Sequence, residues 1–118
     1  MSVYKFNDSL AWQKVHILTL LIYKLTKLFP KDELFGLVSQ LHRAAISVPS
    51  NIAEGFKREG KNDSIHFYSI AQGSLEEVRY QLLLSRDLAY IKDEDYMQAE
   101  TLADETGKLL AGWSKNRK

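Results

Sequence analysis

Apolar residues recur along this chain at three- and four-residue intervals, and no stretch alternates apolar and polar positions long enough to make a strand. The pattern predicts four helices. The first covers about residues 8–29, with Leu10, Val15, Leu18, Ile22, Leu25 and Phe29 on one face. Ile17, Leu20, Leu21, Tyr23 and Leu28 add apolar surface around its sides, more than a helix packed on one neighbour needs. Pro30 ends it, because the residue before a proline is pushed out of helical geometry.

The second helix covers about residues 32–56, with Asp32 as the expected N-cap. Leu34, Leu37 or Val38, Leu41, Ala45, Val48 and Ile52 mark its face. That repeat keeps its phase through Pro49, which predicts one helix bent at the proline, with Gly55 as its end signal. Ser47 or Ser50 is expected to bond the freed carbonyls, and Asn51 to bridge to a neighbouring helix. The third helix, about 63–88, is capped by Asn62 or Asp63 and carries Tyr68, Ala71, Leu75, Val78 and Leu82. Gly73 inside it is unfavourable by about 1 kcal/mol relative to Ala, so a close helix neighbour is expected there. The fourth, about 93–115, repeats Tyr96, Ala99, Ala103, Thr106, Leu110 and Trp113 in heptad-like spacing. Its acidic first turn and basic end suit the helix dipole. Four such helices joined by short loops predict one all-α domain over residues 1–118, an antiparallel up-down-up-down four-helix bundle.

Composition narrows the chemistry. The chain has 118 residues and no cysteine, which removes disulfides and cysteine-based sites and makes a reducing cytoplasm the expected location. Lys24 interrupts the longest early apolar run, so no membrane span is expected. The net charge of +1 hides an asymmetry. Residues 1–61 hold nine Lys/Arg against five Asp/Glu, or +4, and residues 62–118 hold seven against ten, or −3.

Bundles can house di-iron centres, which need Glu-x-x-His on two helices, but no Glu here has a His three residues on. His16, His42 and His66 fall on separate segments, and no phosphate loop or nucleophile-elbow motif occurs. The expectation is therefore a non-enzyme with no cofactor and no metal. Arg43, Lys57, Arg58 and Lys61, with the tail residues Lys115, Arg117 and Lys118, are the candidate phosphate contacts for RNA or DNA. Trp12, Ile17, Leu20, Leu21 and Trp113 are the candidate oligomer contacts. Docking of a protein partner without nucleic acid is the alternative.

Several strings carry a family resemblance. They are Trp12-Gln13-Lys14, Gly36-Leu37 with Gln40-Leu41, Arg43-Ala44-Ala45-Ile46 running into SVPSNIAEG at 47–55, AQGSLEE at 71–77 and LAYI at 88–91. With them, nearly the whole chain resembles the four-helix bundle proteins encoded in intervening sequences of bacterial 23S ribosomal RNA genes. The accessory variability protein of diversity-generating retroelements belongs to the same family. The resemblance implies an up-down bundle, a ring-shaped homo-oligomer that is typically a pentamer, no known catalytic activity, and nucleic-acid contact through a basic surface. His42 stands where the family often has a second arginine, and Lys57 where a glycine is common. With the near-neutral charge, the implied nucleic-acid binding is weak.

Overall fold

Four helices follow one another among the described residues: α1 Leu10–Thr26, α2 Leu37–Lys57, α3 Lys61–Asp87 and α4 Asp93–Asn116. The structure, a computed structural model, describes residues 5–116, with side chains through Trp113. Each helix packs on two neighbours, in the cyclic order α1–α2–α3–α4–α1. Contacts across the interfaces run in opposite chain directions. Thr19 meets Ala45 while Thr26 meets His42, and Arg43 meets Glu77 while Ser47 meets Ser74. The arrangement is the antiparallel four-helix bundle that the apolar spacing predicts.

The core is the sum of four narrow faces. Val15, Leu18 and Ile22 from α1 meet Leu41, Val48 and Ile52 from α2, Leu75, Val78 and Leu82 from α3, and Ala99, Ala103 and Leu110 from α4. The small residues of α4 let that helix sit close; a Cβ on Gly107 would touch Leu75 at 3.4 Å. Leu10 is the exception to the expected face of α1, since it lies exposed. Residue 10 is the first of its helix, and the buried arc passes instead through Ala11, Val15 and Leu18.

Local chemistry sets the helix ends. Ser9 caps α1, its Oγ accepting the Trp12 amide at 3.1 Å. Asp32 does not cap α2. Residues 31–33 form a 3-10 turn, and the helix waits until Leu37. The Leu37 amide donates to Glu33 Oε1 at 3.2 Å, and Glu33 Oε2 takes the Tyr90 hydroxyl proton at 2.9 Å. That carboxylate hydrogen bond and burial hold the Tyr90 phenol above its usual pKa. Gly36 stands at the N-cap, where a Cβ would lie 3.0 Å from Glu33 Oε1.

α2 continues through Pro49 without interruption. Proline cannot donate to Ala45 O, and Thr19 Oγ1, bonded to Val15 O at 2.8 Å, lies 3.5 Å from that carbonyl. The polar residues around it exchange their expected roles. Ser47 makes the bridge to the next helix, 2.8 Å from Ser74 Oγ, while Asn51 Nδ2 donates back to Ser47 O at 2.8 Å. Gly55 is not an end signal. It is buried inside α2, and a Cβ there would lie 2.9 Å from Tyr68 Cδ1 and nearer still to Cε1. Gly73 has no close neighbour; a Cβ there would meet nothing within 4 Å.

Candidate nucleic-acid interface

The folded chain separates charge. α1 carries Lys14 and Lys24 and no acidic residue; α2 carries Arg43 and Lys57 against Glu54. α4 carries Asp93, Glu94, Asp95, Glu100, Asp104 and Glu105 with Lys108 as the basic residue among its described side chains. Because consecutive helices are neighbours, the positive first half of the chain becomes one side of the bundle and the negative second half the other.

The predicted basic residues do not form one cluster. Arg43 lies about 21 Å along α2 from Lys57 at 1.5 Å per residue, and it is held by Glu77 at 3.1 Å and Gln40 at 2.9 Å. Lys57, Arg58 and Lys61 do gather, at the corner where α2 ends and α3 begins. Arg58 is anchored there by Glu54 at 2.6 Å and by the Phe67 ring, 4.7 Å from its guanidinium carbon. Lys57 and Lys61 are exposed and make no ion pair among the described residues. Arg117 and Lys118 lie outside the described residues, as does the side chain of Lys115.

The candidate oligomer contacts divide in a similar way. Trp113 packs within the chain, its ring 5.4 Å from both Phe56 and Tyr68. Trp12 packs edge-on against Phe6 and flat against His16. Leu21 is half-buried, but Ile17 and Leu20 point outward with 52% and 58% of their surface exposed. Leu10 joins Ile17 on one line of α1, within about 20° at 100° per residue, and Leu28 is exposed in the turn after the helix.

The histidines serve packing. His42 stacks on Tyr23 with centroids 3.8 Å apart, and its Nε2 lies 2.9 Å from Thr26 Oγ1. Burial holds its pKa below the ordinary value of 6.5. No cluster of His, Cys, Asp or Glu among the described residues can hold a metal ion. A groove of about 310 Å³ between α3 and α4 has Leu75, Gly107 and Ala111 in its lining. Its charged residues are committed to one another or to neighbours: Arg79 to Glu76 and Glu100, and Asp104 to Lys108. None is left as a free acid, base or nucleophile. No helix among the described residues is long and apolar enough to cross a membrane.

The sequence reading missed the two aromatic–histidine stacks. Trp12 and His16 are four residues apart on one helix, a spacing that was legible. Tyr23 and His42 meet only because α1 and α2 pair in one particular register.

Comparisons with known proteins agree with the fold. The family model described as 23S rRNA-intervening sequence protein matches residues 7–112. Among solved structures, the chain is similar to the crystal structure of a protein with unknown function from the S23 ribosomal protein family of Bacteroides thetaiotaomicron. The TM-score is 0.83 and the identity 26%, over 95% of this chain and 99% of that one. No curated protein matches.

Proposed function

This chain belongs to the 23S rRNA-intervening sequence protein family, and from that premise we propose that it is a non-enzymatic, self-assembling bundle of the cytoplasm that binds RNA or DNA weakly. One observation carries the reading: the exposed charge on α1 and α2 is positive, apart from Glu54, which is bonded to Arg58. Neutralising phosphates with Lys and Arg releases counterions, so such binding weakens steeply as salt rises. Lys57, Arg58 and Lys61 make the corner contact, and the tail residues Lys115, Arg117 and Lys118 extend it. Arg43 contributes only by releasing Glu77. The test is titration with labelled nucleic acid at several salt concentrations. Binding that falls as salt rises supports the proposal; no binding at low salt, or binding indifferent to salt, overturns it.

A second observation favours assembly. Ile17 and Leu20 on α1, with Leu28, 81% exposed, in the turn after it, form an apolar flank that nothing among the described residues covers. In the proposed assembly, a ring-shaped homopentamer, this flank is the contact between copies. Light scattering tests it. An oligomer that dissociates on Ile17→Glu or Leu20→Glu supports the role of the flank, and a monomer at micromolar concentration removes it.

A further inference from the structure

The outer side of the α1/α2 hairpin carries two flat ring stacks. His16 lies on Trp12 with centroids 4.8 Å apart and planes 13° apart. Tyr23 lies on His42 at 3.8 Å and 11°. In each pair one ring is exposed, His16 or Tyr23, and the ring beneath is half-buried and fixed by packing. His42 is further held by Thr26 at 2.9 Å. Both exposed rings come from α1, seven residues apart. Seven residues are nearly two turns, so the rings share one side of the helix at a separation of about 10.5 Å.

That separation is about three steps of 3.4 Å, the spacing of stacked bases along a strand. The charge on α1 and α2 themselves is positive apart from Glu54, and Asp8 precedes α1. Lys27 follows Tyr23 by one turn of chain at one end of the hairpin, and Lys57 stands about 22 Å along α2 from His42, at the other end; neither makes an ion pair among the described residues. α1 has no carboxylate, and Glu54 of α2 is drawn away by Arg58, which packs on Phe67 of α3. Exposed rings held by packing, on two helices whose own charge is positive apart from Glu54, fit a partner that is planar and anionic together. At 100° per residue, the rings lie about 100–140° around α1 from Leu10 and Ile17 and about 40–60° from Leu20.

We infer that this face is a base-stacking platform for single-stranded nucleic acid, with His16 and Tyr23 as the stacking rings and Lys27 and Lys57 as phosphate contacts. The inference rests on the nucleic-acid reading above and names its substrate class. A duplex keeps its bases stacked on one another and offers these rings nothing; a single strand presents every base face.

Fluorescence anisotropy with labelled 20-nucleotide oligo(dT), oligo(U) and a blunt duplex of equal length tests it. The expected result is tighter binding of either single strand than of the duplex. His16→Ala and Tyr23→Leu should each weaken single-strand binding by about five- to 150-fold, the loss of one stacked base. They should leave duplex binding and the salt slope unchanged, while Tyr23→Phe should bind as the parent does. Lys27→Gln and Lys57→Gln should instead lower the salt slope by about one each. Circular dichroism melts confirm that the variants fold, and His16 is exposed enough that its truncation leaves the core intact. If strand and duplex bind equally and the ring variants change nothing, the platform is refuted and the nucleic-acid reading survives. If neither binds at low salt, both fall. If His16→Ala dissociates the oligomer without affecting oligo(dT) binding, the face is a contact between copies and the platform is refuted.

Discussion

Ala89 and Gly73 occupy each other's natural places on α3, and exchanging their types should stabilise the protein twice. Ala89 follows the last turn of α3 at φ 64°. The Ala89 amide donates to Arg86 O at 2.8 Å and the Tyr90 amide to Ser85 O at 2.9 Å. This is the Schellman arrangement, whose left-handed residue is usually glycine. Holding a residue with a Cβ in that region costs about 1–2 kcal/mol. Glycine removes the cost but loses about 0.5–1 kcal/mol more conformational entropy on folding. Ala89→Gly should therefore stabilise by about 0.5–1 kcal/mol. Gly73 is the reverse case, a glycine inside the helix where a Cβ meets nothing within 4 Å; Gly73→Ala should stabilise by about 1 kcal/mol. The two sites are about 24 Å apart along the helix, so the effects should add to about 1.5–2 kcal/mol. With an unfolding entropy of about 2.1 cal/mol/K per residue, 118 residues turn 1 kcal/mol into about 4 °C. The double variant should melt about 6–8 °C higher in circular dichroism at matched protein concentration, with an unchanged urea m-value. If Ala89→Gly is neutral or destabilising, Ala89 is not left-handed in solution and the capping argument fails.

Gly55→Ala should destabilise although alanine is the better helix former. Its Cβ meets the buried Tyr68 ring, at an overpacking cost of about 1–3 kcal/mol, and Tyr68→Leu in the same chain should recover part of the loss in urea melts. His42 should make stability fall on acidification. Its folded pKa lies below 6.5, so the unfolded chain takes up the proton first; the contribution is complete above about pH 6.5 and is lost as pH falls from there through the folded value. The His42→Gln variant should show a smaller drop in melting temperature from pH 7.5 to 5.5 than the parent, and an equal drop would refute this. The bend expected at Pro49 has a direct check: spin labels at Ser39 and Lys57, about 27 Å apart along a straight helix, should move apart in Pro49→Ala. An unchanged distance would show that α2 is already straight.

The buried faces were legible because burial in a bundle is periodic. Val15, Leu18, Ile22, Leu41, Val48, Ile52, Leu75, Val78, Leu82 and Leu110 all lie where the three-and-four spacing puts them. Ends and glycines were less legible, because the deciding contact comes from elsewhere in the chain. Asp32 has the composition of a cap, yet Glu33 reaches the first amide of α2, that of Leu37, and is itself held by Tyr90 from the α3–α4 connection. Gly55 and Gly73 look alike in sequence; only the position of the Tyr68 ring separates the glycine that is required from the one that is not. The candidate site was half legible. Charge sign could be read residue by residue, but the dispersal of Arg43 from Lys57 and the pairing of Tyr23 with His42 depend on helix register.

The same charge separation bears on assembly, and salt distinguishes the two uses of the surface. A bundle positive on α1/α2 and negative on α4 attracts its own copies head to tail, an arrangement that closes into a ring when the rotation permits. Nucleic acid would compete for that positive side if charge alone joined the copies. Contact through the apolar flank of Leu10, Ile17, Leu20 and Leu28 needs no charge, and hydrophobic burial does not weaken with ionic screening. Raising salt from about 50 to 500 mM, a range over which phosphate contacts lose several decades of affinity, should therefore strip nucleic acid and leave the oligomer intact. An oligomer that dissociates in parallel with the nucleic acid would place the copy-to-copy contact on the charged faces. The flank of α1 would then need another occupant.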